Sequence, residues 1–239
     1  MSVRNIRFCG LEGLPGTGKT STCRQVPPEH VAWQASSDVS PESIPPLLPD
    51  PSGRYRVSLD SIRAAITFFT AKDVSRTQET RSRGVPLIVL DRTWHSQIVH
   101  NFAVIRALDL PLAPLNELFH KLSTLVESGD LYFPDWLVMF RIPEKVSYRK
   151  VIRRDGRFFG SNMEAMLTVA ERERFLRARA EGYRVLHSSR GIRIVTLSYQ
   201  AHPSEKVAAV MKQPTDTCPT TPGIFFDDFW QKLIHSGWR

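Results

Sequence analysis

Residues 13 to 20 read Gly-Leu-Pro-Gly-Thr-Gly-Lys-Thr, a complete G-x-x-x-x-G-K-S/T pattern, and the run before it, Ile6 to Leu11 (IRFCGL), is apolar enough to be the strand that feeds it. A strand, a glycine-rich loop and a helix in that order make a nucleoside triphosphate site. The glycines let successive backbone N–H groups turn inward on the β- and γ-phosphates, Lys19 brings a point charge to the same oxygens, and the Thr20 hydroxyl reaches Mg²⁺. The segment from Gly13 through Leu14, Pro15, Gly16, Thr17, Gly18, Lys19 and Thr20 to Ser21 is therefore the expected ATP-binding loop.

Outward from the loop, apolar runs alternate with helical patterns, the signature of a parallel sheet covered by helices on both faces. Strands are expected near 6–11, 55–59, 86–90, 136–141 and 192–197, with helices at 18–25, 61–81, 94–109, 114–128, 143–154, 163–187 and 203–212. Trp94, Ile98, Phe102, Ile105 and Leu108 recur at three- and four-residue spacing and mark a buried helix face. Residues 27–54 carry Pro27, Pro28, Pro41, Pro45, Pro46, Pro49 and Pro51 among serines and read as a long surface loop without regular structure. The organisation expected is one phosphate-loop domain over 1–212 and a tail over 213–239, whose aromatics suit docking on the body or on a second copy in a homodimer.

The chain has 239 residues, is 41% hydrophobic and carries a net charge of +8. That suffices for one sizeable core, and no apolar run approaches the ~20 residues of a membrane span. Cys9, Cys23 and Cys218 have no paired spacing and read as reduced thiols in a cytoplasmic protein, with no secretory signal ahead of the first strand. The basic balance calls for an anionic partner, which phosphates satisfy as readily as nucleic acid.

Two further stretches bear on chemistry. The third strand delivers Asp91 and Arg92 at its carboxyl end, the edge where ligands sit in open α/β sheets, with Ser96 one turn into the next helix. Asp91 could hold a metal-bound water or take a proton, and Arg92 could hold an anion; the alternative is a helix cap beside a solvated charge. Arg149, Lys150, Arg153, Arg154 and Arg157 form a basic run in which Arg149 and Arg153 share a helix face. The run suits a helical lid over about 149–163 that closes on the nucleotide, or a solvated helix face.

Together these segments resemble the thymidylate-kinase-like branch of the P-loop kinases, which includes deoxynucleoside kinases. The likeness rests on Glu12-Gly13 leading the loop, on Asp91-Arg92-Thr93-Trp94-His95-Ser96, on Pro134-Asp135 through Pro143-Glu144 to Arg149 and Arg153, and on Phe175, Arg179, Gly182-Tyr183 and Leu186. It implies a three-layer α/β/α fold with a five-stranded parallel sheet of order 2-3-1-4-5, a helical lid, and an ATP- and Mg²⁺-dependent kinase. Lys19, Asp91, Arg92 and Arg153 would be catalytic, and Thr20 and Asp91 would hold the metal. Arg149, Arg153 and Arg157 would bind ATP, and Asp60, Arg63, Arg92 and Ser96 would bind the acceptor.

The chain departs from the branch at Pro15, where thymidylate kinases carry an acid, and at Leu59-Asp60-Ser61-Ile62-Arg63, where they carry R-E-P-G-G. Ordinary thymidylate is accordingly not the expected acceptor; a nucleoside or nucleoside monophosphate, modified or not, is. A sugar or antibiotic kinase, a polynucleotide 5′-hydroxyl kinase and a non-catalytic nucleotide-binding regulator remain as other readings.

Overall fold

In the computed structural model, residues 6–27, 31–35, 57–82, 85–155, 167–212 and 220–236 are described. Five strands form one sheet: β1 (Arg7–Glu12), β2 (Val31–Ala35), β3 (Leu87–Asp91), β4 (Trp136–Arg141) and β5 (Ile194–Ser198). They lie in the order β2-β3-β1-β4-β5, and every neighbouring pair is parallel. The helices are α1 (Lys19–Cys23), α2 (Leu59–Ser82), α3 (Trp94–Ala107), α4 (Ala113–Glu127), α5 (Glu144–Asp155), α6 (Val169–Ser188), α7 (Pro203–Met211) and α8 (Pro222–His235).

The central strands read as continuous apolar runs because both their faces are covered. Their side chains alternate between two cores. Phe8, Ile88, Leu90, Leu137 and Met139 join the larger one, built with α2, α3, α4, α6 and α8. Cys9, Leu11, Leu87, Val89, Trp136, Val138 and Phe140 face the smaller one, closed by Cys23, Val26 and Val210. The two cores define the three layers.

Four of the expected strands are present, but the run at 55–59 is not the fifth. Leu59 opens α2, and residues 55–56 lie outside the described residues. Ser58 N–H donates to Ser61 Oγ at 2.8 Å and Ser61 N–H to Ser58 Oγ at 3.1 Å, a reciprocal cap that starts a helix. The missing strand is β2, inside the stretch expected to have no regular structure; it registers Ala35 against Asp91 on β3. The five residues VAWQA are free of proline and include the β-formers Val31 and Trp33, a weak signal beside the prolines around them.

Thr168 caps α6 in a full capping box with Glu171. Where α6 crosses α3, a Cβ on Gly182 would sit 3.0 Å from Val99 Cγ1, so a larger residue would push the two helices apart. The tail docks on the body: α8 packs against α4 and α6. Phe226 stacks on Trp94 at 5.3 Å and Phe225 meets Trp94 edge-on at 5.9 Å.

Phe225 is fully buried, so Phe225→Ala should cost ~3–5 kcal/mol, within the usual range for losing a core aromatic. In a chain of this size that lowers the melting temperature by on the order of 10 °C. A thermal unfolding scan checks this; an unchanged melting point would mean that α8 does not contribute to the core.

Candidate active site

The loop between β1 and α1 turns through three glycines with positive φ, Gly13 (124°), Gly16 (77°) and Gly18 (92°). At Gly13 the requirement is also steric, because a Cβ there would lie 2.5 Å from the carbonyl oxygen of Phe140. Lys19 is buried and folds back over its own loop, donating to Gly13 O at 2.9 Å, Leu14 O at 3.0 Å and Thr17 Oγ1 at 3.2 Å. Thr17 Oγ1 in turn donates to Leu14 O at 3.1 Å, while Ser21 faces solvent. Burial, aided by the charge of Arg92, holds the Lys19 ammonium well below the usual lysine range, and Asp91 and Glu12 oppose that.

Two carboxylates frame the loop. The Thr20 hydroxyl donates to Asp91 Oδ2, bringing the ends of β1 and β3 together. Glu12, wholly buried as the last residue of β1, accepts from Thr93 N–H at 2.8 Å, Thr93 Oγ1 at 2.5 Å and Ser96 Oγ at 2.5 Å. Because Thr93 spends its proton on Glu12, the 2.7 Å contact to His95 must be donated by His95 Nδ1–H. His95 Nε2 then carries a lone pair without a partner among the described residues.

Arg92 takes a left-handed backbone, φ 68°, which a non-glycine residue adopts at a cost. Its N–H donates to Leu11 O at 3.1 Å and its carbonyl accepts from Arg76 at 3.3 Å.

Beside this edge opens a cavity of about 350 Å³ between α2, α3 and α6. Its walls are apolar at Val57, Ile62, Ala65, Phe69 and Val104; Arg92, Ser96 and Arg179 lie toward the loop, and Gln97, Asn101 and the buried Asp73–Arg76 pair supply polar contacts. Asp73 and Arg76 are bonded at 3.0 Å. Gln97 Oε1 accepts from Thr70 at 3.3 Å, and its Nε2 has no partner among the described residues.

The structure thus brings together Gly13, Leu14, Pro15, Gly16, Thr17, Gly18, Lys19, Thr20, Asp91, Arg92 and Ser96. It does not bring Asp60 and Arg63 to the cavity. Arg63 forks onto Glu117 of α4, at 3.0 Å from Nε and 2.9 Å from NH2, and the Asp60 side chain is 95% exposed. Both occupy the outer face of the first turn of α2, whose inner face presents Ile62.

Arg149 and Arg153 are exposed on α5, and Arg157 lies outside the described residues, as does the lid segment beyond 155. The face of α5 that touches the loop carries Ser147, which donates to Pro15 O at 2.6 Å, and Lys150, which reaches Gly16 O at 3.4 Å. Arg149, two residues from Ser147, points instead into a hollow between α5 and α6.

Gln97 and the Asp73–Arg76 pair line the cavity without a motif to single them out, whereas Glu12 and Arg179 stand in the quoted motifs with no role assigned to them. The available signals were an acid ending an apolar strand at Glu12, and a charge at Arg179 on the four-residue stripe of Phe175 and Tyr183.

The donor set fits a magnesium nucleotide. Inward-turned loop amides and Lys19 suit phosphate oxygens, and the Thr20 hydroxyl beside the Asp91 carboxylate suits a hard cation that takes few protein ligands and completes its shell with phosphates and water.

No family model and no curated protein matches the chain. Among solved structures, a deoxyadenosine kinase from M. mycoides, determined with its products dCMP and a flexible dCDP bound, superposes with a TM-score of 0.54 at 13% identity, covering 85% of this chain and 96% of that one. At that identity the likeness concerns the fold alone.

Burial, reinforced by Arg179 and Arg92, holds His100 down to about 3, and burial holds His95 well below the usual range. Unfolded, each titrates near ~6.5. The unfolded chain therefore binds more protons from about pH 6.5 down to pH 3. Stability is lost as pH falls through that window, by up to ~1.4 kcal/mol per pH unit for each histidine. Asp73 opposes this: burial pushes it up to about 6 against the pull of Arg76, so its folded form keeps a proton that the unfolded chain has released. His100→Gln removes one histidine contribution alone. Denaturant titrations between pH 6.5 and 4.5 should show a shallower loss of stability in the variant, by up to ~1.4 kcal/mol per pH unit; equal slopes would show that His100 is not held neutral.

Proposed function

We propose that the chain is an ATP- and Mg²⁺-dependent kinase that transfers the γ-phosphate to a nucleoside or nucleoside monophosphate. The observation that carries the proposal is the junction itself: the phosphate loop with its Thr20–Asp91 pair meets, across Glu12 and Arg92, a mainly apolar cavity with hydrogen-bonding groups in its wall. Such a cavity suits a flat heterocycle whose faces are apolar and whose edges donate and accept. A fold shared with a deoxyadenosine kinase supports the same acceptor class.

Bound MgATP would supply the phosphoryl group and a counter-charge for its oxygens. The loop amides and Lys19 would hold the β- and γ-phosphates, and Thr20 and Asp91 would hold the metal. Ser96 and Arg92 position the acceptor at the cavity mouth. As the bond from phosphorus to the acceptor oxygen forms, the bond to the departing ADP oxygen breaks. A hydroxyl acceptor must also lose its proton, which Asp91 can take, whereas a monophosphate is largely ionised at neutral pH and needs cations instead. Closure of the α5 arginines Arg149 and Arg153, with Arg157, over the nucleotide would shut out water. Pro15 brings no polar side chain to the place where an acid would meet a sugar hydroxyl, so thymidylate should be a poor acceptor.

Lys19→Ala should leave the melting temperature near that of the parent and reduce phosphoryl transfer by orders of magnitude, because charge aimed at the moving phosphate is lost. An ADP-release screen over nucleosides, nucleoside monophosphates, sugars and antibiotics tests the acceptor class. Near-parental turnover by Lys19→Ala would remove the loop from catalysis, turnover of sugars or antibiotics alone would remove the nucleoside reading, and efficient use of unmodified thymidylate would remove the role given to Pro15.

If Asp91 is the base for a hydroxyl acceptor, Asp91→Asn should lower kcat by ~10²- to 10⁴-fold while ATP still binds. Initial-rate kinetics beside a nucleotide-binding titration separate that result from a loss of ATP affinity, which would confine Asp91 to the metal.

A further inference from the structure

Arg179 belongs neither to the phosphate loop nor to the expected lid, yet it projects from the middle of α6 into the acceptor cavity beside Arg92. Its Nε is shut off from solvent and has no partner among the described residues. Its hydrogen-bond partner among the described residues is Tyr183, and burial and the charge of Arg92 both pull its guanidinium below the usual arginine range. No ion pair joins either arginine to a carboxylate among the described residues, and the acid nearest in the network, Glu12, is already satisfied. Ser96 gives its proton to Glu12, so the 3.1 Å contact between Ser96 and Tyr183 is donated by the tyrosine, and Tyr183 in turn accepts from Arg179. The run of donors ends on Glu12, and Arg179 and Arg92 both line the cavity.

Burial of the Arg179 guanidinium near the charge of Arg92 raises the energy of the site unless an anion joins them. Planar forks lining one cavity suit the oxygens of a phosphoryl group better than a point charge does. The strained backbone of Arg92 is consistent with a position kept for its side chain.

We propose that Arg179 and Arg92 together form an oxyanion site for a phosphoryl group at the wall of the acceptor cavity, with Tyr183 and Ser96 as positioning residues that tie it to Glu12. The phosphoryl oxygens come either from an acceptor that already carries a phosphate or from the group in transit. Both assignments rest on the phosphoryl-transfer reading given above, whereas binding of inorganic phosphate by the pair does not.

The test compares the full-length chain with Arg179→Gln, Arg179→Lys and, as a control on the same helix, the exposed Arg174→Gln. With ADP present to fill the phosphate loop, inorganic phosphate is titrated and followed by ³¹P line broadening, and dCMP and deoxycytidine are titrated by calorimetry. The expected result is phosphate binding weakened at least ~10-fold in Arg179→Gln, since a charge-assisted bidentate contact is lost, with partial retention in Arg179→Lys and none of the loss in Arg174→Gln. A preference for dCMP over deoxycytidine that collapses in Arg179→Gln assigns the site to the acceptor's own phosphate. If the parent shows no such preference, an ADP–fluoroaluminate–deoxycytidine complex that forms in the parent and not in Arg179→Gln assigns it to the group in transit. Parental behaviour of a folded Arg179→Gln in all three titrations and in the fluoroaluminate complex overturns the proposal, as does equal weakening in Arg174→Gln. If ADP does not bind, the nucleotide reading fails, and the phosphate titration without it still compares Arg179→Gln with Arg174→Gln.

Discussion

One buried carboxylate ties the two halves of the site together. Glu12 ends β1, and the next residue begins the phosphate loop; its oxygens accept from Thr93 and Ser96, in the cap and first turn of α3. A buried charge is tolerable only when it is fully hydrogen-bonded, and the three donors that meet this need all come from the segment that also carries Arg92. Satisfying Glu12 therefore fixes where α3 starts. The start of α3 fixes Arg92 and one wall of the cavity, while the backbone on the other side of Glu12 fixes Gly13 and the loop. Gly10 lets the clasp close, since a Cβ there would come within 2.5 Å of Thr93 Cγ2.

The parts of the fold visible in the sequence are those governed by local chemistry. β1, β3 and β4 are uninterrupted apolar runs because a doubly covered sheet needs them, and the loop motif is dictated by phosphate geometry rather than by anything distant in the chain. β2 was hidden because prolines on either side of Val31–Ala35 outweighed its two strand formers, Val31 and Trp33, and residues 55–59 misled because alternation before a helix imitates a strand. The serine pair Ser58 and Ser61 was the better signal there.

Lys19, Thr20, Asp91, Arg92 and Ser96 lie together at one sheet edge, as the sequence leads one to expect, because strand ends and the adjoining turns have a known place in this architecture. Asp60 and Arg63 were misplaced because the face a helix turns inward is a tertiary fact: Glu117, 54 residues further on, draws Arg63 outward. The polar groups of the cavity come from α2, α3 and α6, and which of them meet depends on helix packing that no short motif records. Arg179 shows the difficulty. It lies on the same stripe as Phe175 and Tyr183, where a charge ordinarily signals an error in the helical phase and here marks a cation turned toward a cavity.

The docking of α8 has a consequence for how the molecule is made. Trp94, at the root of α3, is covered by Phe225 and Phe226, which leave the ribosome long after it does. During synthesis the sheet and the phosphate loop can assemble in order, but an indole beside the candidate site stays uncapped until α8 emerges. The nascent chain thus passes through a stage with a sticky aromatic surface that is absent from the finished protein. That stage, rather than the folded state, is where chaperone demand and aggregation would concentrate.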